Sequence, residues 1–186
     1  PVHPRGEEQV LFPGQPLVEG QLLGKEAGKE VSAIRGLPAD SSEDRLKALG
    51  AAAASSGSVA MFHAIGVTPE APTLDAATAG EPVPEIVVSA ERLREARGEL
   101  ATAADGRLGA VSVGTPHASL AELERLASLL GTDELAVPLY VNVGRDVLAE
   151  AETRGLRASL ESSGVQIVTD TCTYITRVLD PVDGPV

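Results

Sequence analysis

The sequence predicts an α/β fold, a mostly parallel sheet with helices on both faces. Three observations carry that expectation. Short apolar runs alternate with capped or amphipathic helical runs along the chain. They recur at close to the ~30-residue length of a βαβ unit. The apolar runs are apolar at successive positions, as strands are when helices cover both faces of their sheet. A chain of 186 residues is long enough to bury a sizeable core, as one large domain or two small ones.

Residues 1–16, rich in Pro and Gly, read as an irregular lead-in, and 17–186 as the α/β domain, with a sub-boundary near 104–108. LVEGQLLGKEAGKE (17–30) reads as a helix despite three glycines, and VSAIRGL (31–37) as a short strand. SSEDRLKALGAAAASSG (41–57) is a helix opened by a Ser41/Asp44 capping pattern and closed at Gly57. SVAMFHAIG (58–66) is an apolar strand. The helix after it has Pro69 near its start and Gly80 at its end, which puts Glu70 in its first turn. EPVPEIVVS (81–89) carries another strand, and Ser89 caps a helix from Ala90. LGAVSVG (108–114) is a strand leading into GTPHAS, where Ser119 and Glu122 form a capping box. ELAVPLYVNVG (134–144) is a strand whose Pro138 argues against a central, fully paired place. RDVLAEAETRGLRASLESSG (145–164) is helical in two pieces, and VQIVTDTC (165–172) closes the strand set.

Composition removes whole function classes. Aromatics are 2 % of residues, Trp is absent and the net charge is −12, so neither base stacking nor phosphate binding has a platform. Nucleic acid is excluded as a partner. No apolar run approaches the ~18 residues of a membrane span, and no signal peptide is visible. A single cysteine, Cys172, rules out an intramolecular disulfide and fits a reducing, cytoplasmic setting. The chain opens on Pro1 and closes on DPVDGPV, which reads as part of a larger protein.

Parallel strands bring their C-terminal ends to one edge, outside which open α/β sheets bind ligands. Four strand ends carry reactive side chains: Thr68-Pro69-Glu70, Thr115-Pro116-His117, Asn142 with Arg145, and Asp170-Thr171-Cys172. Each has a plain reading as well. His117 reads equally as a helix cap or a solvated ring, Thr115 as a turn hydroxyl, and Asp170 as a turn residue. Glu70 suits a helix N-terminus, Arg145 is as well read as a solvated arginine, and Cys172 as an inert thiol. His63, inside an apolar strand, reads as a hydrogen-bonded core histidine. No phosphate loop, dinucleotide fingerprint, H-E-x-x-H or G-x-S-x-G motif is present. One cysteine cannot hold an iron–sulfur cluster alone, but Cys, Asp, Thr and His with water would suit an iron site.

The motifs GTPHASLAELERLASLL, VTDTC and FHAIGVTPEAPTLDAA resemble the large-subunit region of the aconitase X family, and the likeness runs from about residue 20 to the end. G-T/C/S-P-H-x-S-x-x-E together with V-T-D-T-C carries most of it. The resemblance implies an aconitase-like three-layer domain and a hydro-lyase that dehydrates a small hydroxy acid with iron, mononuclear or as a cluster. Cis-3-hydroxy-L-proline is the expected substrate, and phosphorylated mevalonate is the other known one. It implies that Cys172 is an iron ligand, with Thr115 and Asp170 as the further metal candidates. Thr115 stands where cluster-binding members have Cys, a departure that favours the hydroxyproline type. His117, Ser119 and Glu70 match motif positions near the substrate or metal and are the catalytic candidates, and Thr68, Asn142 and Arg145 are the candidates for binding substrate. It also implies a missing N-terminal part and a small subunit or domain, so this chain alone is expected to be inactive. The competing expectation is a non-catalytic α/β module that binds an anion or a partner on the same strand edge.

Overall fold

Each half of the chain builds its own parallel sheet. The computed structural model describes residues 15–101, 107–131, 135–171, 173, 176–179 and 186. Contacts divide the chain into two units, Pro1–Thr102 and Ala103–Val186. Among the described residues, no helix is long and apolar enough to cross a membrane.

In the first unit, α1 (Pro16–Ala27) begins on a proline, whose missing N–H is harmless in a first helical turn. β1 (Ser32–Ile34) and β2 (Phe62–Ala64) pair in parallel, with Ala33 opposite His63. Between them α2 (Glu43–Gly57) is capped by Ser42, whose hydroxyl accepts from the Arg45 N–H at 3.2 Å. The expected cap, Ser41, instead donates to the Pro38 carbonyl. The glycines of α1 are explained by α2: a Cβ on Gly20 would lie 2.1 Å from the Leu49 carbonyl oxygen, and one on Gly57 would lie 1.7 Å from that of Gly24. Backbone contact at this crossing outweighs the cost of glycine in a helix. Val18 and Leu22 of α1 then pack with Leu93 and Ala96 of α4 (Ala90–Leu100), which Ser89 caps as expected. Beside this core, Arg45 Nη2 meets both carboxylate oxygens of the nearly buried Glu19, at 2.7 and 2.9 Å. Burial raises the Glu19 pKa above its ordinary value, and Arg45 opposes the rise.

Two further expectations fail in this unit. The helix after β2 is α3 (Leu74–Thr78), capped by Thr73, so Pro69 and Glu70 lie in the preceding turn and not in a first helical turn. The run 81–89 forms no strand, and Val83, Ile86, Val87 and Val88 stay exposed. Pro82 and Pro84 lack the N–H groups that a ladder needs.

The second unit is the sheet β3 (Val111–Ala118), β4 (Leu139–Val143) and β5 (Val165–Thr169), parallel and in that order. It is flanked by α5 (Leu120–Leu130), α6 (Arg145–Thr153) and α7 (Leu156–Ser162). Leu139, Val141 and Val143 of β4 join Ala118, Leu123, Ala151, Leu160 and Val165 in one core. β4 is central and buried throughout, contrary to the inference from Pro138. The proline sits just ahead of the strand, where it spends only its carbonyl, accepting from the Val111 N–H at 2.8 Å. No ladder N–H is lost there.

Candidate functional site

In the second unit the strand ends meet as the topology requires. The register of β3 on β4 slips between Val113 and Ala118, so Gly114 to His117 leave the regular ladder. Gly114 makes this possible: its φ is +83°, and a Cβ there would lie 2.3 Å from the Asn142 carbonyl oxygen. The loosened segment leaves Thr115 exposed and His117 half-buried. His117 Nε2 donates to the carbonyl of Thr171 at 3.0 Å, tying the GTPHAS turn to the exit of β5. Ser119 then starts α5: its hydroxyl accepts from the Glu122 N–H at 3.1 Å, and the Glu122 carboxylate accepts from the Ser119 N–H at 2.9 Å. The capping box expected from the sequence is present in full.

Asp170 follows β5 with φ +58° and turns its carboxylate onto the start of α6. The N-cap of that helix is Gly144, which has no side chain to offer. Asp170 takes its place, accepting from the Arg145 N–H at 2.9 Å and from Arg145 Nε. The backbone bond from Arg145 is the main cause that holds the Asp170 pKa below its ordinary value; burial opposes it, and the Arg145 side chain and His117 add to it. Arg145 is thus ion-paired while most of its side chain stays exposed. Asn142 is fully buried on β4. Its Nδ2 donates to the Val113 carbonyl at 3.1 Å, and its Oδ1 has no hydrogen-bond partner among the described residues. Beside it Ser112 donates to Thr173.

In the first unit, Thr68 and Glu70 come together with a residue that the sequence reading set aside. After β2 the chain doubles back: the N–H groups of Val67 and Thr68 donate to the Ala64 carbonyl, and Gly66 donates to Ala71. The Thr68 hydroxyl bonds both the N–H and the carbonyl of Ala64, each at 3.2 Å. The reversal lays Glu70 against His63, whose Nδ1 donates to Oε1 at 3.1 Å. Glu70 is held ionised below the usual carboxylate range, first by its own backbone N–H and then by His63 and Thr68. His63 is therefore hydrogen-bonded, but to an exposed carboxylate and not within a core. The spacing of histidine and glutamate across a Gly- and Pro-containing turn was the available signal.

Cys172 lies outside the described residues. Among those described, no group of three or more His, Cys, Asp and Glu side chains is placed to hold a metal ion. Thr115 offers a hydroxyl, and the Asp170 carboxylate keeps lone pairs beyond the two that Arg145 uses. Hydroxyl, carboxylate and thiolate are donor types that iron accepts.

Family models for the aconitase X second domain and the aconitase X third domain match residues 15–98 and 108–184. The chain is 43 % identical over 157 residues to the cis-3-hydroxy-L-proline dehydratase of Pseudomonas aeruginosa, a match covering 82 % of this chain and 27 % of that protein. It is 39 % identical over 163 residues to the phosphomevalonate dehydratase large subunit of Methanothermobacter thermautotrophicus, covering 87 % and 39 % respectively. The crystal structure of aconitase X from Thermococcus kodakaraensis, in its holo-form, is similar with a TM-score of 0.75 and 30 % identity, over 84 % of this chain and 40 % of that one. The chain spans between about a quarter and two-fifths of the length of these proteins.

Proposed function

The chain belongs to the aconitase X family, and from that premise we propose that it is part of an iron-dependent hydro-lyase that removes water from a small hydroxy acid, cis-3-hydroxy-L-proline. The observation that carries the reading is the bond from His117 to the Thr171 carbonyl, which ties the GTPHAS turn to the residue before Cys172. The dehydratase relatives supply the reaction class, and the 43 % identity to a cis-3-hydroxy-L-proline dehydratase, against 39 % to a phosphomevalonate dehydratase large subunit, supports the hydroxyproline substrate.

Cys172, Thr115 and Asp170 are the proposed iron ligands, and bound iron supplies Lewis acidity to the departing hydroxyl. The chain's own residues do the rest. His117 fixes the exit of β5 beside Cys172, and the Ser119 hydroxyl and the Glu70 carboxylate are the other proposed catalytic groups. Arg145 is the proposed clamp for the substrate carboxylate, since guanidinium and carboxylate meet in a two-pronged geometry. It would exchange its exposed bond to Asp170 for the substrate. Asn142 presents an amide oxygen that lacks a partner among the described residues, and Thr68 is the proposed polar contact in the first unit. The rest of the enzyme, an N-terminal part and a small subunit or domain, is the proposed partner. The naming of a relative as a large subunit supports that. A thiolate ligand fits a reducing cytoplasm.

The test is made on the complete enzyme. It is expected to contain iron and to dehydrate cis-3-hydroxy-L-proline. Cys172→Ser is expected to lose the iron, by metal analysis, and the turnover with it. Unchanged iron and unchanged rate in that variant would overturn the assignment of Cys172, and turnover of phosphomevalonate alone would overturn the substrate.

A further inference from the structure

We propose that Ser112 and Thr176 are positioning residues for Cys172: with Thr171 and Thr173 they form a hydroxyl clamp that sets the turn after β5 before iron binds. The proposal rests on the hydro-lyase reading, in which Cys172 is an iron ligand. It adds two residues which that reading leaves unused, and all of its bonds lie within the second unit.

Three bonds tie the residues on either side of Cys172. On one side the Thr171 carbonyl accepts from His117 Nε2 at 3.0 Å. On the other the Thr173 hydroxyl accepts from the Ser112 hydroxyl at 3.3 Å. The third bond closes the turn on itself, as the Thr171 hydroxyl donates to the Thr176 hydroxyl at 2.8 Å. Consecutive Cα atoms are only about 3.8 Å apart, so holding both neighbours of a residue confines its backbone as well.

The anchors belong to the sheet. Ser112 and His117 both come from β3, on either side of its register slip, so one strand grips the turn at two points. Ser112 lies in the regularly paired part of that strand, opposite Tyr140 of central β4. Asn142 of β4 backs it: Nδ2 bonds the Val113 carbonyl and lies 3.5 Å from Ser112 Oγ. A hydroxyl can donate once and accept as well, so Ser112 serves both links. Asn142 is fully buried, and the polar chain from its amide through Ser112 to Thr173 therefore runs from the middle of the sheet to the turn. A hydroxyl that merely completes a turn bonds within a few residues. Ser112 instead reaches across 61 residues of sequence.

Partners behind a metal ligand fix its orientation, and losing one ordinarily weakens metal binding by about 10- to 100-fold. A turn that is already ordered also gives up less freedom when the ion arrives. The clamp supplies both effects without touching the ion.

The experiment uses the complete enzyme, with the thermal midpoint as the check on folding. In metal-free protein, amide hydrogen exchange across residues 170–176 is expected to be about five-fold faster in Ser112→Ala and in Thr176→Val. Iron affinity, read by competition with a chelator, is expected to fall on the order of 10-fold in each. Ser112→Thr keeps the hydroxyl and is expected to stay near the unaltered enzyme in both measurements. A merely structural role would lower the thermal midpoint and leave iron affinity and this segment's exchange unmoved, which would overturn the proposal. Equal losses in Ser112→Thr and Ser112→Ala would overturn it too, because the hydroxyl would not be the agent. Should Ser112→Ala fail to fold, unchanged exchange and affinity in Thr176→Val decide against the clamp. Retention of iron by Cys172→Ser would overturn the ligand assignment instead, and the exchange measurement, made without metal, tells the two failures apart.

Discussion

Asp170 adopts the left-handed backbone region at φ +58°, a conformation that aspartate tolerates better than most residues. That turn carries its carboxylate to a helix whose own cap is a glycine, so one acid serves a helix 25 residues earlier in the chain. Its pKa is depressed in the folded chain, and the sign of the consequence follows. A depressed carboxylate contributes stability above its unfolded pKa and loses that contribution as pH falls through its folded pKa. Asp170→Asn is therefore expected to lower the thermal midpoint by a few degrees at neutral pH. The difference should fade below the carboxylate range, as read by melting curves across pH. The acid was visible in the sequence as a strand-end residue, and its service to α6 was not. The partner of a carboxylate is legible only when it lies within a few residues, and Arg145 does not.

Two caps are legible in the sequence because they close over three residues. Ser89 bonds the N–H of Arg92, and Ser119 and Glu122 satisfy each other, both as expected. Ser119→Ala is expected to lower the unfolding free energy by about 1 kcal/mol, and Ser119→Gly by only a few tenths, by chemical denaturation. Turnover that falls equally in both would give the hydroxyl a part in the chemistry beyond the cap. The misread elements share a different property. Pro138 counts against a strand by residue type and the prolines at 82 and 84 are passed over in an apolar run, but what matters is which N–H a strand must donate. Pro138 stands outside the paired residues of β4 and costs nothing, whereas Pro82 and Pro84 stand inside an apolar run and leave it unpaired. Likewise the glycines of α1 look like helix breakers until α2 is seen against them.

At the scale of the molecule, parallel strands give the second unit two unlike ends. The C-terminal edge gathers His117, Asp170 and Arg145, and the opposite end holds a cleft of about 840 Å³ lined by Leu135, Pro138, Ser162 and Gln166 among others. A cleft of that volume is of a size that holds small ligands. The rule that ligands lie outside the carboxyl ends of the strands favours the other edge. Gln166→Ala is accordingly expected to change kcat of the complete enzyme by less than about twofold, in a steady-state assay, where Cys172→Ser is expected to abolish it. The sequence by itself determined the α/β class, the caps at Ser89 and Ser119, the net charge of −12 and the motifs that mark the family. Each is written in local spacing or in bulk composition. Only the tertiary structure decided that β4 is central, that α1 needs its glycines, that His117 reaches Thr171 and that Glu70 rests on His63. Those pairings come from the path of the backbone, and no local preference encodes which distant residues a turn or a sheet edge will bring within hydrogen-bonding distance.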